Sequence, residues 1–410
     1  MPPNSDSNDL PVHQLHPSTF FRIARQSSAL LPSLRELHHT LDDKFMSYIF
    51  LFASPLLDSL LIREIRGFEN TIVGPYLATL SSESQMLSQI VLRDGQMSAD
   101  IFRNAIVHFK QLRSLELSNA VFMRDFVLLE VLGTLPFLEN LTLKAIDPAS
   151  HPANAPENFN SQSGGSNYYF NALESLSVTG SFFLIQHLGF IDSTYLKLIY
   201  VYPVLSHVQF NHDRELEDIF APSMAIIASK LSQSPKTLGI GSVSTAESTR
   251  RYALSKSLMT LTTLHEMRTF FIIGWRMENM DADVRRLVMS WPKLRTLRLP
   301  LKQSFISLLT LKIIAENCPE LRYLDIRLDT STIPPFDTST SKSLHHKLEV
   351  LTVGSAHPST EQTQECRIQV TRHLDSFFPY LKSIKMRASL KDVTWSSFVR
   401  TPDDLLVSSK

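Results

Sequence analysis

The 410-residue chain has two cysteines, twelve glycines and no net charge, and each scarcity removes a class of protein from consideration. Cys318 and Cys366 stand far apart and outside any Cys-x-x-Cys spacing. That excludes a disulfide framework and a cysteine zinc site, and it suits a reducing, intracellular setting, cytoplasmic or nuclear. Twelve glycines leave little material for phosphate cradles, and the chain contains no Gly-x-Ser-x-Gly, phosphate loop or dinucleotide fingerprint. Lys plus Arg and Asp plus Glu both number 40, so net charge gives no reason to expect nucleic acid or an anionic membrane as partner. The most apolar early run, Phe45 to Leu57, is broken by Ser47, Ser54 and Pro55. It falls well short of the ~20 residues of a spanning helix. The opening Met1-Pro2-Pro3-Asn4-Ser5-Asp6 is polar, without the basic start and apolar run of a secretory signal.

What the chain does have is a 43% hydrophobic composition arranged in a recurring phrase. Pro292-Lys293-Leu294-Arg295-Thr296-Leu297-Arg298-Leu299 is followed by Pro319-Glu320-Leu321-Arg322-Tyr323-Leu324-Asp325-Ile326, and then by Leu348-Glu349-Val350-Leu351-Thr352-Val353. Leu294 to Leu321 and Leu321 to Leu348 are both 27 residues. A Leu-x-x-Leu-x-Leu strand phrase alternating with a helical stretch at that period is the signature of a leucine-rich repeat. The same first leucine is found at Leu34, Leu57, Leu87, Leu112, Leu138, Leu173, Leu196 and Leu381, with Met267 in its place once and a degenerate unit near Leu238 and Ile240.

Proline precedes several phrases, at Pro32, Pro55, Pro136, Pro292, Pro319 and Pro379, where it ends one helix and feeds an extended segment. Between phrases the apolar spacing turns helical. Val284, Leu287, Val288 and Trp291 follow a possible cap at Asp281, and Phe305, Leu308, Leu309 and Ile313 follow Ser304. The expected fold is therefore an α/β leucine-rich-repeat solenoid, a horseshoe with parallel strands on the concave face and helices on the convex face. Residues 1–30 form an N-terminal segment, partly disordered, 31–390 the solenoid with a Pro/Ser/Asn-rich loop insertion at 147–167, and 391–410 a C-terminal tail. Asn140-Leu141-Thr142 matches a glycosylation acceptor, yet Leu141 is a core position of its phrase.

The proline-led phrases at Pro136, Pro292 and Pro319 resemble the leucine-rich-repeat region of F-box proteins, in particular the large fungal (basidiomycete-type) set. The resemblance implies a substrate-holding part of a cullin-RING ubiquitin ligase subunit. It implies as partners a protein substrate or peptide on the concave face and the ligase adaptor, the latter through an F-box upstream. The chain departs from the family in two ways. Leu10-Pro11 is too little for an F-box, and the ninth position of the phrase holds Ala120, Ile146, Lys302 or Asp329 in place of asparagine or cysteine. A general interaction scaffold unconnected with ligases is the alternative.

No catalytic residue, metal ligand or cofactor site is expected. His265-Glu266 lacks the second histidine of a zinc-protease motif, Asp281 and Asp283 fit helix-start acids better than a metal pair, and His38-His39 and His345-His346 are taken as loop or edge residues. The strand positions expected to face outward are aromatic in the middle of the chain and basic toward its end. Tyr200, Tyr202 and Phe271 form a possible anchoring cluster, unless the unit near Leu238 folds over them. Arg298, Arg327, Lys385 and Arg387, with Tyr323 beside them, form a possible site for an acidic or phosphorylated segment, unless Asp325 and its neighbours neutralise it.

Overall fold

The computed structural model describes residues 30–41, 46–65, 70–93, 99–118, 126–144, 168–180, 191–203, 213–231, 236–241, 255–275, 277, 279–299, 305–335, 346–354 and 364–387. The expected N-terminal segment up to residue 29, the 147–167 insertion and the 391–410 tail lie outside these residues. The chain forms two compact units, Met1–Ala145 with Tyr168–Leu173 and Ile146–Asn167 with Glu174–Lys410.

In the first unit the phrases become five strands, β1 (Glu36–Thr40), β2 (Ser59–Arg63), β3 (Gln89–Leu92), β4 (Ser114–Ser118) and β5 (Asn140–Lys144). Each pairs in parallel with the next. Helices α1 (Asn70–Glu83), α2 (Ala99–Ile106) and α3 (Phe126–Gly133) occupy the crossovers after β2, β3 and β4. In the second unit eight strands follow the same rule: β6 (Ser175–Gly180), β7 (Leu198–Pro203), β8 (Thr237–Gly241), β9 (Thr269–Ile273), β10 (Thr296–Arg298), β11 (Tyr323–Asp329), β12 (Val350–Gly354) and β13 (Ser383–Arg387). All are parallel to their neighbours. Their crossovers carry α4 (Asp213–Leu231), α5 (Ser255–Met259), α6 (Met280–Ser290), α7 (Leu308–Asn317) and α8 (Gln364–Phe377). Each unit is thus a stack of α/β leucine-rich-repeat coils.

The repeat period is enforced at the point where each strand begins. The residue after each marker leucine offers its carbonyl to two N–H groups of the next coil. Arg268 O accepts from Arg295 N at 2.7 Å and Thr296 N at 3.0 Å, Arg295 O from Arg322 N and Tyr323 N, and Arg322 O from Glu349 N and Val350 N. Arg35, Asp58, Ser88 and Arg113 do the same in the first unit. The prolines sit two residues ahead of the marker, in turns closed by the marker's own N–H, as from Leu294 to Trp291 O and from Leu321 to Cys318 O.

Marker leucines Leu57, Leu112, Leu173, Leu294, Leu321 and Leu348 are fully buried, as are the strand leucines behind them. Trp291 closes one coil against another, its ring centroid 4.7 Å from Phe270 and its indole N–H donating to Leu261 O at 3.2 Å. Cys318 is buried and free, and burial pushes its thiol up to about 12, so it serves as a core side chain. The unit near Leu238 proves regular in its strand, since β8 lies in register between β7 and β9. What it lacks is the marker phrase before the strand, because residues 232–235 hold no leucine.

Three further expectations are corrected. The helix over Val284 to Trp291 begins at Met280 with Asn279 as its cap residue, which leaves Asp281 and Asp283 in its first turn. The next helix is capped by Ser307, whose hydroxyl accepts from Thr310 N, and not by Ser304. His346 is no edge residue: it is buried, it stacks edge-on to Phe378, and its Nδ1 accepts from Leu348 N at 3.1 Å.

Burial lowers the His346 imidazole from its ordinary 6.5 to about 4, against a smaller opposing effect of the Cys318 backbone. A base whose folded pKa lies below its unfolded value contributes fully above the unfolded value and loses its contribution as pH falls. The window here runs from about 6.5 down to about 4. Urea denaturation at the two ends of that window should differ by on the order of 2 kcal/mol more in the native chain than in His346→Asn, whose amide oxygen can replace Nδ1 as acceptor. An equal pH slope in the two proteins would show that His346 already titrates normally in the fold.

Candidate protein-interaction face

Strand alternation turns the marker-derived leucines toward the helices and every second residue to the opposite, open face of the sheet. In the second unit the pairing places these outward residues in straight rows across the strands. One row runs Ser177, Tyr200, Gly239, Phe271, Arg298, Asp325, Thr352 and Lys385. A second, at the strand starts, runs through Thr269, Thr296, Tyr323 and Val350.

The aromatic part of the first row depends on Gly239. It is paired with both Tyr200 and Phe271 but contributes no side chain, so the two rings close over it with centroids 5.5 Å apart. A Cβ at Gly239 would fall 2.0 Å from the Phe271 ring. This corrects the expected exposed cluster. Phe271 is 9% exposed and Tyr202 5%, while Tyr200 is half-buried. The alternative of a Leu238 unit folded over the rings is also wrong, because β8 lies between them in the sheet. Burial raises the phenol pKa of both tyrosines, in Tyr202 with Tyr200 adding to the rise and Arg298 opposing it.

The basic residues fare differently from one another. Arg298 donates from Nε to Asp325 Oδ2 at 3.4 Å, and Asp325 is buried, so neutralisation by Asp325 holds at this position. Arg327 lies with its guanidinium 5.3 Å from the centre of the Phe305 ring and its stem against Gly354. Lys385 is exposed, and Tyr323 stands 39% exposed at the start of β11. Arg387 ends β13 opposite Gly354, and its side chain lies outside the described residues. The structure therefore brings Arg298, Tyr323, Arg327 and Lys385 to one face of adjacent strands, with Arg298 already engaged. Nothing in the sequence flags the Phe305 platform or the gap at Gly239, because both depend on pairing between distant segments.

The first unit has its own charged centre on that face. Glu116 on β4 accepts from Arg93 Nε at 3.1 Å, from Lys144 Nζ at 2.9 Å and from Ser118 Oγ at 3.2 Å. Burial pushes its carboxyl up, but the hydrogen bonds and charges of Lys144 and Arg93 outweigh that and hold it below the usual value. Among the described residues no group of three or more His, Cys, Asp or Glu side chains could hold a metal. Asp283 accepts from Ser255 Oγ at 2.6 Å, Asp281 accepts from Ser307 N at 3.0 Å, and Glu266 pairs with Lys293. No helix among the described residues is long and apolar enough to cross a membrane.

These features define a leucine-rich-repeat fold with a mixed aromatic and charged strand face. No protein-family model matches the chain, and no curated protein matches it. Among solved structures it is similar to an internalin from Listeria monocytogenes at 14% identity, over 92% of this chain and 93% of that one, with a TM-score of 0.38. It is also similar to a protein from Bacteroides fragilis at 13% identity and a TM-score of 0.35, over 66% of this chain and 65% of that one. Neither likeness bears on function.

Gly239→Ala is expected to destabilise the second unit by about 1 to 3 kcal/mol, since the Phe271 ring has to leave its place. Combining it with Phe271→Ala should cost less than the sum of the two single changes, which denaturant melts of the four proteins will measure. Additive effects would mean that the ring does not rest on the glycine.

Proposed function

We propose that the chain is a non-enzymatic protein-recognition scaffold that holds a protein substrate or peptide on the strand face of its repeats, and that it acts like the substrate-binding part of an F-box subunit of a cullin-RING ubiquitin ligase. The observation that carries the first half is the uninterrupted register of eight parallel strands in the second unit, which sets Tyr323, Arg327 and Lys385 on one accessible face. Stacked repeats expose extended surfaces of this kind, and repeat proteins use them to bind. The second half rests on the resemblance of the proline-led phrases to fungal F-box proteins.

The test has two arms. Purified ligase adaptor should bind the full-length protein in a pull-down; absence of binding leaves a general interaction scaffold and removes the ligase reading. In the second arm, Tyr323→Ala with Lys385→Ala should weaken the captured substrate by roughly 1 to 3 kcal/mol, while each leaves stability within about 0.5 kcal/mol. Arg298→Ala belongs apart from these, because it strips a buried carboxylate of a partner and should lower stability by about 1 to 3 kcal/mol whether or not a ligand binds. A melting point unchanged by Arg298→Ala would contradict the structural role assigned to its pair with Asp325.

A further inference from the structure

Just ahead of the strands the second unit carries a second surface, a rim beside the open face. The residue just before the strand is Lys236, Arg268, Arg295 and Arg322 in four successive coils, following the marker in the last three. Their backbones are joined directly, each N–H donating to the carbonyl of the one before at 2.7 to 2.8 Å. Stacking of the coils therefore stacks their charges, one per strand spacing of about 4.8 Å. Lys293 and Lys347, one position ahead of their markers, project at the same rim.

Three carboxylates stand among these six cations: Glu266, Glu320 and, at the same position of the next coil, Glu349, whose N–H donates to the Arg322 carbonyl. Glu266 pairs with Lys293 at 2.5 Å and Glu320 with Arg295 at 3.1 Å. Glu266 also feels Arg268 and Lys236, and Glu320 feels Lys347 and Arg268, so the cations converge on the same rim. Six against three leaves an excess of three positive charges on a chain whose total is zero, and Glu349 pairs outside the six, with Lys382 at 3.6 Å. Lys236, Arg268 and Arg322 form no ion pair among the described residues, and Lys236 and Arg322 are exposed.

We propose that this rim, from Lys236 to Lys347, is a docking surface for an extended, carboxylate-rich segment of a partner protein. Five strands span four spacings, about 19 Å, which an extended peptide crosses in about six residues. Guanidinium groups at Arg268 and Arg322 are free to take carboxylates in two-pronged hydrogen bonds. A peptide suits the rim better than a nucleic acid. Glu266 and Glu320 interrupt the cations and would repel a backbone charged at every nucleotide, whereas a peptide can set a neutral or basic residue opposite each glutamate.

The probe is a fluorescently labelled hexaglutamate, titrated with the full-length protein. Saturable binding that weakens as salt is added is expected. Lys236→Ser, Arg268→Ser and Arg322→Ser together should weaken it at least about tenfold, because these three changes leave the existing ion pairs in place. Should the triple variant fail to fold, Arg322→Ser alone, at an exposed position, should weaken binding by about threefold. Lys312→Ala, on α7, should leave hexaglutamate binding unchanged. The proposal falls if hexaglutamate does not bind at low salt, if the rim variants bind as the native chain does, if Lys312→Ala abolishes binding, or if a hexauridylate binds more tightly than the peptide.

Discussion

The structure depends on one backbone interaction, the carbonyl at each strand start that accepts two N–H groups from the next coil. A carbonyl has two acceptor sites, and filling both fixes the offset and the direction of the incoming strand at once. Leucine-rich repeats with a ninth-position asparagine have a side chain to satisfy the backbone beyond the strand. This chain has none at those positions: Ala120, Ile146 and Lys302 lie outside the described residues, and Asp329, among the described residues, accepts from Ser331 N two residues on. Register is therefore set mainly ahead of the strand. Through the turn it follows the proline and the marker leucine, whose N–H closes the turn and whose side chain is buried.

That dependence explains what could be read from the sequence. Phrases with proline, marker and alternating leucines declared their strands, because local turn chemistry and burial point the same way there. Helix starts were legible only to within a few residues. Asp281 and Ser304 have the right chemistry for caps, but the positions of Asn279 and Ser307 are decided by where the chain crosses back over the sheet. The open face was legible as a set of positions and not as a set of exposures. Alternation identified Tyr200, Tyr202 and Phe271 as outward, yet whether an outward ring is exposed depends on its lateral neighbour, and Gly239 is 39 residues from one ring and 32 from the other. The burial of His346 escaped for the same reason, since Phe378 approaches it from the next coil.

Between coils the contacts on the helix side are polar as well as apolar. Glu217 is buried and accepts from Lys256 N at the start of α5, Ser255 reaches Asp283 on α6, and Asp281 on α6 accepts from Ser307 N at the start of α7. Each link joins the beginning of one helix to the beginning of the next. Apolar packing alone is tolerant of sliding, since leucine against leucine changes little over a fraction of a turn. A carboxylate that must meet a particular N–H is not tolerant, and leaving it unmet while buried costs about 1 to 3 kcal/mol. These acids therefore do on the helix side what the shared carbonyls do on the sheet side.

Such stacking has an electrostatic consequence for any surface the solenoid presents. When coils repeat at one strand spacing, a residue type favoured at one position of the phrase becomes a line of like charges, with repulsion between neighbours that solvent only partly screens. The open face avoids this by mixing its row: Arg298 is followed by Asp325, then Thr352, then Lys385. Ahead of the strands the repulsion is relieved only in part, through Glu266, Glu320 and Glu349, while Lys236, Arg268 and Arg322 form no ion pair among the described residues. Two faces built from the same repeat thus differ in kind. On one, charge is consumed in holding neighbouring strands together; on the other it is left available to an anion, and a change in salt should separate the two.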